Sequence, residues 1–300
     1  MIVEPATSDQ LLALMQETYG SSMSEAEFDW WFDRNPAGTR ILSAARDDHG
    51  GVLGVLAMSC LQMSQGLAAF SVHAVTSPAA RGRGVFSALE QHNEERAAAA
   101  GAEWALGFTN PLAGPILVGR LGWEDVTTLR IWARPKRLRR RRTGRLRAPN
   151  LGARSRLGEP EELAYRREAA SWGHHVVRDA AYLNWRYVDT PRLYSYHGSG
   201  IDQGWGVATH AIWHGLSCAV ICDAIGPGKR SIVRVLAATV DADLAVAMVN
   251  PGEERAYLAA GFVPTPRTIR FIGKRLTPDA RPLPHDRRAW HFTLGDLDFF

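Results

Sequence analysis

Twice in this chain a short apolar run ends in Asn-Pro and leads into a helical stretch closed by a glycine and an aromatic residue. The first is "WALGFTNPLAGPILVGRLGW", residues 104 to 123, and the second is "LAVAMVNPGEERAYLAAGF", residues 244 to 262. A strand-length apolar run, a proline that can open a helix and a glycine that can close one together describe a strand–helix unit. Its return predicts two copies of one α/β domain. The flanking segments agree, since "AAYLNWRYVDTP" (180 to 191) echoes "EFDWWFDRNP" (27 to 36).

The first half reads as α-β-β-β-α-β-α-β. Leu11, Leu12, Met15 and Tyr19 fall at helical spacing behind a Thr7-Ser8-Asp9 cap. "EFDWWFDRNP" reads as a short helix stopped before Pro36. "RILSAARDDHGGVLGVLAMSCLQM" gives two strands turning at "DDHGG", and "LAAFSVHAVTS" gives a third. Residues 85 to 100 form a long helix before Gly101, and "DVTTLRIWARP" closes the copy as its last strand. In the second half "GLSCAVICDAIG" stands where the third strand was, and "SIVRVLAATVDA" is a shorter helix. The expected class is α/β with a mixed sheet. The expected domains are residues 1–133, a linker at 134–160, and residues 161–300.

With 300 residues, 46% hydrophobic and 22% charged, the chain can bury two cores. No apolar run has membrane-span length, and the N-terminus lacks a basic region, so a cytoplasmic protein without a signal peptide is expected. Cys60, Cys218 and Cys222 read as reduced core thiols, and no second ligand pair accompanies Cys218 and Cys222, so no metal is expected. Trp172, Trp185, Trp205 and Trp213 read as core.

Charge is local. "RPKRLRRRRTGRLR", Arg134 to Arg147, holds nine positive charges, and without them the net +4 becomes −5. Such a run binds polyanions by counterion release, so nucleic acid, anionic lipid or an acidic acyl carrier protein are candidate partners beside a plain solvated linker. No aromatic residue interleaves the basic ones, so base stacking is not signalled.

The stretch "AVTSPAARGRGVFSALEQHNEE" (74 to 95) sets Arg81-Gly82-Arg83-Gly84 directly before a helix. The N–H groups that open a helix lack backbone partners and carry partial positive charge, which suits phosphate. Glycine lets a backbone approach closely, and two arginines add full charge. A phosphate cradle at the helix beginning near Val85 is the chemical reading, and a turn with solvated arginines is its alternative. The spacing is not that of a dinucleotide-binding G-x-G-x-x-G loop, and no G-K-[ST] is present.

These residues resemble a known family. "TSPAARGRGVFSAL" is similar to the pyrophosphate loop of the GNAT acyltransferases, [Q/R]-x-x-G-x-[G/A], with Arg81 first, Gly84 fourth, and Phe86 where glycine or alanine is usual. The resemblance covers residues 1 to about 133, and "GPGKRS" (226 to 231) replaces the loop in the second copy. It implies two GNAT-like domains in tandem, each a splayed mixed sheet flanked by helices, the second degenerate. It also implies an acyl-CoA, acetyl-CoA first, wedged between two parallel strands as co-substrate. Ala74, Val75 and Thr76 would meet the pantetheine, and Arg81, Gly82, Arg83, Gly84, Val85 and Phe86 the pyrophosphate. Asn110 would lie near the thioester arm.

The implied reaction is attack of a small-molecule amine on the thioester, which requires a base, an oxyanion site and a proton for the thiolate. The tyrosine many GNAT members carry before the closing Gly-aromatic is Val118 here, while Tyr257 stands at that place in the second copy and is a candidate acid from there. His73 titrates in the right range, but plain strand alternation puts it on the Ser71 face, away from Phe70 and Val72. Asp29, Asp33 and Glu103 are the other base candidates. Alternative functions are an acyltransferase fed by a carrier protein or aminoacyl-tRNA docked on the arginine run, and a non-catalytic CoA sensor. The tail "WHFTLGDLDFF" is expected to dock with Asp296 and Asp298 in solvent.

Overall fold

Capping residues fix where the first helices start. In the computed structural model, which describes residues 1–38, 40–136, 156–198, 202–213 and 215–297, the Thr7 N–H donates to Gln10 Oε1 (2.9 Å) at the head of α1 (Ser8–Tyr19). Ser24 caps α2 (Glu25–Phe28), which continues as one π-helical turn, Asp29–Asp33. The wide turn brings Trp30, Trp31 and Phe32 inside together. A strand that the sequence reading lacks, β1 (Ile2–Pro5), precedes these helices. It pairs antiparallel with β2 (Ile41–Arg46).

The remaining elements follow the apolar runs. β3 (Val52–Met63), β4 (Gly66–Thr76), α3 (Val85–Ala99) and β5 (Ala102–Thr109) lie where expected. α4 (Gly114–Arg120) begins three residues beyond Pro111, because Asn110 Oδ1 accepts the Leu112 and Ala113 N–H groups and holds a turn there. Next come β6 (Glu124–Pro135), α5 (Glu159–Ala169), β7 (His174–His175), α6 (Ala180–Tyr187), β8 (Tyr194–Gly198), β9 (Trp205–Trp213) and β10 (Leu216–Ile225). They are followed by α7 (Lys229–Thr239), β11 (Leu244–Met248), α8 (Glu254–Ala259), β12 (Val263–Arg275) and β13 (Trp290–His291).

Contacts group the chain into two units. Unit 1 is Met1–Thr127 with Arg270–His285, and unit 2 is Thr128–Ile269 with the residues from Asp286 onward. The sequence divides the chain serially at 133 and 160, whereas each unit takes two pieces of chain. The long strands are the reason: β6 and β12, of 12 and 13 residues, each contribute to both units. Residues 137–155, which hold most of the Arg134–Arg147 run, lie outside the described residues.

Unit 1 orders its strands β1-β2-β3-β4-β5 and then Arg270–Arg275 of β12, which pairs antiparallel with β5. Only β4 and β5 pair in parallel within this set, joined by α3 as crossover. α3 buries Val85 and Leu89 against Leu56, Met58 and Ala69, and each such side chain contributes about 1.5–3 kcal/mol. Leu117, Leu121, Trp123, Ala105 and Ile272 form a second cluster.

Unit 2 orders its strands β12-β6-β11-β10-β9-β8, with β10 and β11 parallel and α7 between them. Ile232, Val233 and Leu236 of α7 join Ala208, Ala219, Trp132 and Phe262 in its core. Trp185 and Trp205 are buried as expected. Trp172 instead stacks on His291 with centroids 3.5 Å apart, and Trp213 lies under the Arg267 guanidinium. Cys60, Cys218 and Cys222 are buried and none forms a disulfide. Burial pushes the Cys60 thiol up to about 11 and the Cys222 thiol up to about 12. Among the described residues no helix is long and apolar enough to cross a membrane.

Candidate active site

The parallel pairing of β4 and β5 is short. It runs from Leu67↔Ala102 to Phe70↔Leu106, yet β4 continues to Thr76 and β5 to Thr109. Among the described residues the β4–β5 ladder goes no further than Phe70↔Leu106, and beyond it the strands open as a wedge. Phe70, Phe108 and Phe271 line up across β4, β5 and β12 at its root, with centroids 5.8 and 5.4 Å apart.

β4 also breaks its own alternation inside the wedge. Val72 faces Ala57 and Val75 faces Val55, so two residues, His73 and Ala74, oppose Leu56 alone. His73 takes φ +45°, the one positive φ at a non-glycine among the described residues. This bulge corrects the expectation from plain alternation that His73 shares a face with Ser71. Ser71 reaches α3, whereas the His73 ring packs edge-on to Phe32 of the π-helical turn at 6.0 Å. Asn93 of α3 donates Nδ2–H to the carbonyl of Leu56, the residue opposite the bulge (2.9 Å).

Beyond β4 a 3₁₀ turn at Pro78–Ala80 leads into Arg81-Gly82-Arg83-Gly84, all four exposed. Gly82 and Gly84 have φ +76° and +77°, and a Cβ at either would meet no atom within 4 Å. Conformation, not crowding, demands glycine here. Gly84 is the residue before α3, and no side chain caps the helix, so its opening N–H groups have no side-chain acceptor and lie next to two exposed arginines. Val85, 2% exposed, anchors the helix start in the core. Phe86, the departure from the loop pattern, packs against both core clusters of unit 1. The donor set fits a pyrophosphate: helix N–H groups with no side-chain cap, guanidinium charge, and open space where a Cβ would stand.

Under the wedge, α3 presents a buried polar row. Glu90 is 0% exposed, and its Oε2 accepts the Ser71 hydroxyl at 2.9 Å while Oε1 has no hydrogen-bond partner. Burial pushes the Glu90 carboxyl up to about 8; the Ser71 hydrogen bond and Lys274 pull it down, and Glu94 pushes it further up. One turn on, Glu94 accepts Trp123 Nε1–H and Lys274 Nζ, both at 2.6 Å. The aromatic residue of the Gly-aromatic ending is thereby tied to α3.

The other sequence candidates are dispersed. Asp29 pairs with Arg34 (2.7 Å) and Asp33 with Arg40 (2.9 Å) on the surface of the π-helical turn. Glu103 lies against Gly66, at the paired end of β4 and β5, away from the wedge. Ala74 is exposed, Val75 is buried, and Thr76 pairs with Gly54. Asn110 is exposed and caps the turn before α4. Tyr257 lies in the core of unit 2 beside Phe262, and burial raises its phenol well above the ordinary range.

Unit 2 repeats the wedge and fills it. Pairing of β10 with β11 runs from Cys218↔Leu244 to Val220↔Val246, while β10 continues to Ile225. The following loop N–H, at Gly226, donates to the Glu168 carboxylate, which also takes the Lys229 ammonium. The adjoining hollow, about 400 Å³ and lined by Arg167, Asp202 and Pro227, thus sits over a loop already holding an internal anion. The C-terminal segment crosses the same region. Phe292 and Asn250 exchange hydrogen bonds (3.0 and 3.2 Å), and a side chain at Gly295 would collide with the Tyr187 hydroxyl.

Asp296 is not in solvent as expected: it is 4% exposed and bonded to Arg178 (2.9 Å), which also pairs with Asp223. Burial alone would lower the Arg178 guanidinium, but the two carboxylates hold it well above its ordinary value. Asp298 lies outside the described residues.

Solved structures share this architecture. A GCN5-related N-acetyltransferase from Anabaena variabilis ATCC 29413 matches with a TM-score of 0.61 at 14% identity, over 92% of this chain and 73% of its own. Another from Kribbella flavida matches with a TM-score of 0.59 at 15% identity, over 92% and 72%. The chain has the GNAT fold. Eis1 from Mycobacterium abscessus is also similar, with a TM-score of 0.56 at 15% identity over 92% and 74%. No protein-family model matches the sequence, and neither does any curated protein. Within this GNAT fold the sequence reading missed the bulge and the Ser71–Glu90 pair. A bulge is one extra residue with no marker in "SVHAV", and Glu90 reads as an ordinary solvated helix position.

Proposed function

We propose that the chain is an acyl-CoA-dependent acyltransferase working in the cytoplasm, with acetyl-CoA as first donor and a small-molecule amine as acceptor. The observation that carries this reading is the wedge of unit 1. Its strands part at Phe70 and Leu106 and lead straight into the exposed Arg81–Gly84 loop at the head of α3.

In this reading the N–H groups from Gly82 to Phe86, with Arg81 and Arg83, hold the pyrophosphate. The β4 edge from Ala74 to Thr76 takes the pantetheine amides. The acceptor enters from the side of the π-helical turn. Its nitrogen attacks the thioester carbonyl, the C–N bond forms and the C–S bond breaks. The β4 N–H groups beyond the last β4–β5 pair are the donors nearest the developing oxyanion. His73, held at the bulge beside Phe32, is the base that takes the amine proton.

The test is thiol release from acetyl-, propionyl- and longer acyl-CoAs across a panel of amines. Amine-dependent release is the expected result. Tight CoA binding with no release across the panel would make the protein a CoA-binding module instead.

A further inference from the structure

A departing thiolate is best removed as a thiol, so an acyltransferase gains from a proton donor at the sulfur. α4, "GPILVGR", offers no side chain for that task other than Arg120 at its exposed end. On β4, however, Ser71 is the first residue beyond the last β4–β5 pair, and it is half-buried at the root of the wedge.

We infer that Ser71, backed by the buried Glu90 carboxyl, delivers the proton to the leaving thiolate; this rests on the activity proposed above. Three observations carry it. The Ser71 hydroxyl and Glu90 Oε2 are 2.9 Å apart. Glu90 has no exposed surface and its Oε1 has no hydrogen-bond partner, a setting that disfavours a bare charge. The cation nearest to hand, Lys274, bonds Glu94 and not Glu90. A purely structural partner for Ser71 requires no ionisable group, since a glutamine accepts the same hydrogen bond.

The step balances within the chain. With the carboxyl protonated, the 2.9 Å contact runs the other way, from the Glu90 Oε2–H to Ser71 Oγ, and the Ser71 hydroxyl turns toward the sulfur. As the C–S bond breaks, the sulfur takes the Ser71 hydroxyl proton, and the Glu90 proton replaces it on Oγ. Glu90 is left as a carboxylate while His73 holds the proton from the amine. After the products leave, His73 releases its proton to water and Glu90 regains one through Ser71. The groups acting on Glu90 are Ser71 from β4, Glu94 from α3 and Lys274 from β12. Burial raises the Glu90 carboxyl to about 8, so it still carries a proton at neutral pH.

The experiment uses the full-length chain as wild type, Glu90→Gln and Ser71→Ala, each confirmed as folded. kcat and KM are measured over pH with acetyl-CoA and with the acetyl ester of an aromatic thiol, whose thiolate leaves without a proton. Glu90→Gln is expected to lower kcat with acetyl-CoA by roughly 10²-fold with KM unchanged. The fall in wild-type kcat above about pH 8 is expected to vanish in the variant. With the aromatic thioester the two enzymes are expected to turn over alike. Ser71→Ala shows the same pattern and serves alone if Glu90→Gln does not fold. Equal kcat with acetyl-CoA, or the same deficit with both donors, overturns the relay and leaves the acyltransferase standing. A wild type that transfers no acyl group from any acyl-CoA overturns both, and that is seen before any variant is made.

Discussion

The His73 ring stands edge-on to Phe32, with centroids 6.0 Å apart and planes at 70°. The contact depends on the bulge, because a regular strand would have turned His73 toward α3 with Ser71. A single extra residue in β4 thus places an imidazole beside the π-helical turn at the wedge. It leaves a hydroxyl and a buried carboxyl behind the same strand.

The bulge makes His73 sensitive to residue shape. At φ +45° a β-branched side chain costs roughly 1–2 kcal/mol, whereas asparagine tolerates the left-handed region. His73→Val is expected to lower stability by that amount in urea unfolding, and His73→Asn to leave it nearly unchanged. If His73 is the base, both lose roughly 10²-fold in kcat. A fully active, folded His73→Asn would remove it from that role.

Glu90 gives stability a pH dependence of known sign. Its carboxyl is raised from 4.5 to about 8 in the folded chain. The unfolded chain therefore binds fewer protons here between those values, and stability falls as pH rises through the window. The contribution is fully present below the lower value and lost above the upper one. Glu90→Gln removes this term. Its melting temperature relative to wild type is expected to be distinctly higher at about pH 9 than at about pH 5. A constant difference across that range would mean that Glu90 is ionised throughout.

Arg178 holds the C-terminal segment onto unit 2 through Asp296 and also meets Asp223, all three with no exposed side-chain surface. Arg178→Met keeps the volume but strands two carboxylates, at a cost of about 3–5 kcal/mol. Calorimetry should show unit 2 melting early, and a loss below about 1 kcal/mol would mean that the charges are not buried as described.

One acyl-CoA per chain is expected. The loop of unit 2 already gives its Gly226 N–H to Glu168, and Lys229 is held between Glu168 and Glu253. Titration calorimetry with CoA reads the stoichiometry directly, and two equivalent sites would contradict the assignment of unit 2 as the filled copy.

Much of this was legible in residues. The Asn-Pro and Gly-aromatic repeats gave the two α/β units, and "ARGRGVF" gave the loop and its helix, because turns and caps use local chemistry. What stayed hidden is set by tertiary pairing. "VPTPRTIRFIGKR" is one continuous strand pattern, and nothing in it marks that Arg270–Arg275 joins unit 1 while the residues before it stay in unit 2. The burial of Glu90 and Asp296 was equally invisible, since each acid becomes an interior group through partners 19 and 118 positions away, Ser71 and Arg178.

The most direct test of the acyl-CoA site is thermal unfolding with and without acetyl-CoA, for wild type and Gly84→Trp. A Cβ at Gly84 meets nothing within 4 Å, so a large side chain there blocks the loop face without pressing on the core, at a left-handed backbone cost of roughly 1–2 kcal/mol that the wild-type and variant baselines measured without ligand take into account. At a ligand concentration of about 100 times its dissociation constant, wild type should gain about 2.7 kcal/mol. Gly84→Trp should fold and gain nothing. No gain for wild type with any acyl-CoA, or the same gain in Gly84→Trp, would contradict the assignment of Arg81–Phe86 as the cofactor loop.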